Sequence, residues 1–119
     1  MAKGADRMDC VFCKIVKGEI PAKKVYEDDK VLAFWDLNPE APVHLLLIPK
    51  VHIPSAMAVN GENGALVAHI FQTAAVLARE QGLEKGFRIV NNCGEDGGQT
   101  VPHLHFHLLG GRAMAWPPG

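Results

Sequence analysis

The chain has no excess of either charge. Its 12 Lys+Arg and 13 Asp+Glu leave a formal net charge of −1. They are spread along the sequence, so there is no basic stripe for a nucleic-acid polymer and no polybasic patch for a membrane surface. Long apolar runs are also missing: nothing approaches the roughly 18 residues of a membrane helix. The opening "MAKGADRMDC" contains no apolar core of a signal peptide, and a cytoplasmic location is expected. Cysteine is scarce, with Cys10, Cys13 and Cys93 alone. Three are too few for a disulfide framework, and in a reducing compartment they remain thiols, available for metal binding or packing. Internal repeats and low-complexity segments are absent.

What is there fits one domain. A length of 119 residues with 48% hydrophobic content suffices for a real core and is short for two. Residues 1–9 read as an N-terminal tail and 10–119 as a single domain, with its own C-terminal tail at 110–119. "CVFCKIVKG" has apolar residues at helical spacing and stops at Gly18. "KKVYED" and "KVLAFWDL" form a hairpin, and "VHLLLIPK" is a third, mostly covered strand. From Glu62 to Gln81, Leu66, Val67, Ile70, Phe71, Ala74, Leu77 and Ala78 fall on one helical face, with Gly82 as the stop. "GFRIVNN" and "HLHFHLLG" are the fourth and fifth strands, separated by the glycine-rich "CGEDGGQT". The fold class is α+β: a five-stranded antiparallel sheet with one long helix and a short N-terminal helix.

The segment "PHLHFHLLGG" places His103, His105 and His107 in five consecutive positions. On a strand they share one face, and Leu104, Phe106 and Leu108 share the other. At about 3.3 Å per residue the outer two stand about 13 Å apart, so at most two can share one metal at about 2 Å per bond. Crowded imidazoles disfavour one another's protonation, which keeps a neutral, nucleophilic nitrogen near pH 7. The preceding loop can offer backbone N–H groups to an anion, so a phosphate is the natural substrate group.

"HLHFHLL" fits the His-x-His-x-His-x-x signature of the histidine-triad (HIT) nucleotide hydrolases and transferases. "DGGQTVPHLHFHLLGGR", the terminal "WPPG", "EIPAKKVYEDD", "LAFWDLNPEAP" and "LLLIPKVHI" resemble the Hint branch in particular, from about Cys10 to Gly119. The resemblance implies a HIT-like fold and a homodimer with its sheets joined across the two copies. It also implies hydrolysis of purine nucleoside 5'-phosphoramidates through a nucleotidyl-histidine intermediate. His105 would be the nucleophile, His103 would orient it, and His107 and His44 would line the phosphate and handle charge and protons. Thr100 stands where the eukaryotic pattern has serine and keeps a hydroxyl for the leaving group. Asn92, Gly98 and Gln99 would contact phosphate, Asp36 both ribose hydroxyls, and Phe12, Leu37 and Ile20 the base, with simple core an equal reading for Ile20. AMP, GMP and adenosine are the implied ligands. The tail would run along the dimer interface, with Trp116 near the neighbouring copy's pocket.

"CVFC" is a Cys-x-x-Cys without a thioredoxin-like context. Some bacterial histidine-triad proteins with this pair hold a structural zinc, with histidines matching His44 and His103. The implied set is therefore Cys10, Cys13, His44 and His103, chemically complete for tetrahedral zinc. No cofactor is required for catalysis on this reading. His52 and His69 join no constellation and read as surface or supporting residues; Trp35 and Cys93 have no assigned role. Three alternatives stay open: a hydrolase with a catalytic zinc, a non-catalytic nucleotide-binding module, and a dinucleoside polyphosphate hydrolase of the same superfamily.

Overall fold

Two runs of alternating side chains make the centre of the molecule. The computed structural model describes residues 9–119, so the N-terminal tail expected at 1–9 lies, up to residue 8, outside the described residues. Strands β1 (Lys24–Glu27), β2 (Val31–Trp35), β3 (Val43–Pro49), β4 (Phe87–Val90) and β5 (Phe106–Gly110) form one antiparallel sheet in the order β1-β2-β3-β5-β4. Because the strand period is two, β2 and β3 present different residues to each face. Val31, Ala33, Leu45 and Leu47 pack with Ile70, Ala74 and Leu77 of the long helix α2 (Gly64–Glu80). Leu32, Phe34, Leu46 and Ile48 pack instead with Phe12 and Ile15 of the short helix α1 (Val11–Val16). The sheet is therefore covered on both sides, and the α1 side carries the histidines. Among the described residues no helix is long and apolar enough to cross a membrane.

Six residues cannot sustain a helix alone, so α1 depends on its packing and on its cap. The Sγ of Cys10 accepts from the Cys13 N–H at 3.4 Å. Gly82, at φ +73°, closes α2 in the left-handed conformation that a side chain disfavours.

The fifth strand is shorter than the sequence pattern implies: it starts at Phe106, not at His103. Leu47 pairs with Phe106, and two residues further along β3 comes Pro49, which has no N–H to extend the ladder. His103 and His105 precede the strand, yet the alternation survives. Leu104, Phe106 and Leu108 lie in the α2-side core, while the rings of His103 and His105 meet Phe12 edge-on.

The β1–β2 turn is built on Asp28. Its carboxylate accepts from the N–H groups of Lys30 and Val31, both at 2.8 Å, from the Tyr26 hydroxyl at 2.6 Å and from Nε2 of His69 at 2.7 Å. Partial burial pushes the carboxyl upward, but these donors outweigh it and hold Asp28 well below the usual carboxylate range. His69, which has no role in the sequence pattern, thus ties α2 to the hairpin. Asp28→Ala removes all four bonds and should cost about 2 kcal/mol, read as a lower urea midpoint. An unchanged midpoint would mean that the turn forms without them.

Candidate functional site

Between α1, the chain entering β1 and the end of β2 lies a cavity of about 340 Å³, within the range of small-molecule sites. Its walls are mainly apolar, from Val11, Phe12, Ile15, Ile20 and Phe34, with Leu37 at the mouth. Leu37 is 92% exposed, a cost in water that a ligand stacked on it would relieve. Its polar lining comes from Lys23, Asp36, Asn38, Thr100, His105 and His107, and Asp36 and His107 are close to one another.

His105 is buried, with its Nδ1 2.7 Å from the His103 carbonyl oxygen. A carbonyl can only accept, so Nδ1 carries the proton and Nε2 keeps its lone pair. The backbone that delivers this ring is itself held, since the Asn91 side-chain amide donates to the His105 carbonyl at 2.9 Å.

A second chain of hydrogen bonds sets the other imidazoles. The Glu40 N–H donates to Nδ1 of His44 at 3.0 Å, which puts the His44 proton on Nε2. That Nε2 is 2.9 Å from Nδ1 of His107 and 3.4 Å from an oxygen of Asp36. His107 is thereby left with its proton on Nε2, as a neutral N–H donor. Asp36, His44 and His107 are close enough to hold a cation. The lone pair His44 would need at Nε2 is, however, available only by giving up the Glu40 bond.

Burial, then the neighbouring His105 and His44, push His107 down to about 4, with Asp36 opposing them. Crowding contributes, but burial is the larger cause. The unfolded chain takes a proton at this imidazole near 6.5, where the folded protein refuses it until about 4. Stability due to His107 is therefore complete above pH 6.5 and is lost as the pH falls towards 4, by on the order of 3 kcal/mol. Urea midpoints should fall steadily across this window, and His107→Gln should remove its share of the slope. A flat profile in the native protein would contradict the assignment.

On the far side of His103 lies a separate cluster: Cys10, Cys13, His52 and His103, with their ligand atoms all within 4.8 Å of one another. The expected fourth donor, His44, is not in it, because it sits with His107 near the opposite end of β3. The sulfur of Cys10 is 3.4 Å from Nδ1 of His103, that of Cys13 is 3.6 Å from the same nitrogen, and it is 3.2 Å from Nδ1 of His52. Tetrahedral zinc with thiolate and imidazole ligands separates them by roughly 3.3–3.8 Å, so the donors fit. His103 is fully buried and donates Nε2–H to the Pro49 carbonyl at 2.9 Å, which leaves Nδ1 bare towards the sulfurs. Burial, offset in part by that carbonyl, pushes His103 down to about 4, so it is neutral and ligand-ready at pH 7.

The other residues expected at phosphate, and Trp116, do not line the cavity within this single chain. The Gln99 side chain is engaged by the glycine-rich loop, accepting from Gly94 N–H and donating to the carbonyls of Pro54 and Val101. The Gly98 N–H bonds to the Glu95 carbonyl. Asn92 is half-buried and outside the cavity lining, and Trp116 is 82% exposed on a tail fixed by an Arg88 bond to the Ala115 carbonyl. Trp35 is half-buried and borders the cavity. Cys93 lies beneath Gly97, where any Cβ would collide with the Cys93 backbone. His52 and Asn91 are the members that sequence reasoning missed.

Residues 17–114 match the HIT domain family. A solved structure of a HIT family hydrolase from Legionella pneumophila is 54% identical, with a TM-score of 0.92 over 93% of this chain and all of that one. A histidine triad protein from Clostridium difficile is 53% identical, with a TM-score of 0.88 over 92% of this chain and 96% of its own. A 14 kDa zinc-binding protein from Brassica juncea is 49% identical over 93% of this chain and the whole of its own length.

Proposed function

The chain belongs to the HIT domain family, and we propose that it is a hydrolase of the Hint type, cleaving the P–N bond of purine nucleoside 5'-phosphoramidates. The observation that carries this reading is the fixed tautomer of His105, whose free Nε2 belongs to a ring lining a nucleotide-sized cavity. Nε2 attacks the α-phosphorus, a P–Nε2 bond forms as the P–N bond to the amine breaks, and water later breaks the P–Nε2 bond to release the nucleotide.

His107 supplies the proton from Nε2. It is neutral in the free protein, but an anionic phosphate beside it favours the charged form, so a proton is taken up with the substrate at Nδ1. His44 then gives up its Glu40 bond, moves its own proton to Nδ1 and accepts from His107 at Nε2. The Nε2 proton of His107 goes to the leaving amine, and the attacking water returns one to the same nitrogen, which closes the cycle. His44 keeps His107 in register, and of the cavity-lining residues Asp36 would accept from the ribose hydroxyls and Thr100 would border the leaving group. Phe12, Ile20 and Leu37 would hold a purine.

Zinc suits the Cys10/Cys13/His52/His103 cluster as a structural ion. Four protein donors leave no open position for water, unlike a catalytic site, and the similarity to the Brassica juncea zinc-binding protein supports it. The reaction is tested by rapid quench with adenosine 5'-monophosphoramidate, followed by locating the added nucleotidyl mass. Mass on His105 is expected, and turnover without any covalent adduct would refute the pathway.

The same reading makes the protein a homodimer, which would cover the open edge of β4. The tail that carries Trp116 would then reach the neighbouring copy's pocket. Deleting residues 113–119 should change kcat/KM unequally across leaving amines, by about two- to tenfold. Equal rates across several amines would remove Trp116 from the site.

A further inference from the structure

The two residues inside the Cys-x-x-Cys do different work from the two that bound it. Cys10 and Cys13, three apart, turn their sulfurs to His52 and His103. Val11 and Phe12 line the nucleotide cavity. The ring of Phe12 also lies 5.1 Å from that of His105, nearly perpendicular, and 5.9 Å from that of His103. Helix α1, which carries Phe12, is only six residues long, and its N-terminal cap is the sulfur of Cys10 itself. A helix this short has no persistence of its own. The donors that clamp its first turn therefore also fix where one wall of the cavity stands.

From this placement we propose that Phe12 is a positioning residue joining the metal cluster to the nucleotide pocket, so that zinc and nucleotide tighten each other's binding. The inference rests on the proposed zinc and nucleotide sites and adds a coupling between them. With zinc held by both cysteines, α1 is anchored at its start and Phe12 meets His105 and the base. Without it, the first turn is held by the weak sulfur cap, the sulfur–imidazole hydrogen bonds and its apolar contacts, a looser clamp than a metal, and the wall must be tightened when the nucleotide binds. Order imposed by one ligand need not be imposed again by the other, which is positive coupling. Linkage requires the factor to be identical in both directions.

The test measures that factor twice on the whole protein. AMP is titrated calorimetrically into zinc-loaded and chelator-stripped samples, and zinc affinity is measured against a chromophoric chelator with and without saturating AMP. Stripping should weaken AMP about tenfold, and AMP should tighten zinc by the same factor. In Phe12→Ala both ligands should still bind, with the factor falling to about one. Coupling that ran only through global unfolding would survive that substitution, so a full factor in Phe12→Ala overturns the role given to Phe12. Equal AMP affinity with and without zinc overturns the coupling while leaving the nucleotide site standing. No AMP binding in either state overturns both this inference and the function from which it starts.

Discussion

His105→Ala should cut phosphoramidate turnover by roughly a thousandfold or more while AMP binding stays measurable. A covalent nucleophile supplies several kcal/mol of transition-state stabilisation that no neighbour replaces, and tenfold in rate is about 1.4 kcal/mol. The nearest substitute is His107, whose Nδ1 is already paired with His44 and whose Nε2 bears its proton. His103 cannot stand in either, because both of its nitrogens point away, to Pro49 and to the cysteine sulfurs. Binding survives because most of the cavity wall is built without His105, from Val11, Ile15, Ile20, Phe34 and Leu37. Single-turnover rates and an AMP titration on the same protein separate the two effects. A variant retaining a tenth of the native rate would sink the nucleotidyl-histidine pathway, and one that no longer binds AMP would leave the rate loss without a chemical meaning.

The sheet, the long helix and the grouping of imidazoles on one face were legible from simple patterns. "VLAFW" and "VHLLLIP" are near-continuous apolar runs bounded by turn residues, as strands covered on both faces must be, while the helical spacing from Leu66 to Ala78 and the alternation of the histidines leave few other solutions. Where the fifth strand begins was not legible, since it depends on which residue of the partner strand lacks an N–H, and that residue, Pro49, is found only once β3 and β5 are in register. The internal bonding of the glycine-rich loop was not legible for a related reason: the N–H groups of Gly94, Gly98 and Gln99 bond within the loop, and the Gln99 amide reaches the carbonyls of Pro54 and Val101. Asn91 carries no motif, and only the fold brings its amide to the His105 carbonyl. The tautomers of His44 and His105 are likewise set by backbone groups, of Glu40 and His103, that no side-chain pattern reveals.

His52→Ala, by contrast with His44→Ala, should release the metal. The strand pairing decides between them: Leu47 stands opposite Phe106, so continuing the antiparallel register brings His103 towards the far end of β3 and the residues just after it. His44 is at the near end, paired with Leu109, and roughly six residues of strand, about 20 Å, separate it from that point. His52 follows β3 by three residues and reaches back to Cys13. Removing one of four donors from a buried cluster leaves an incomplete shell, with two cysteines whose thiolates then lack a full counter-charge. Zinc affinity of the His52→Ala protein should therefore fall by at least a hundredfold. The unfolding free energy of the zinc-loaded form should fall by several kcal/mol, because binding and folding are linked there. His44→Ala should keep one zinc per chain and its thermal midpoint in zinc to within a few degrees, while losing turnover through the freed tautomer of His107. Elemental analysis of the three proteins, purified without chelator, together with melting curves in zinc and in a chelator, separates the outcomes. Zinc lost from His44→Ala and kept in His52→Ala would restore the ligand set that the sequence resemblance implies, and native protein free of zinc would return Cys10 and Cys13 to the role of core residues.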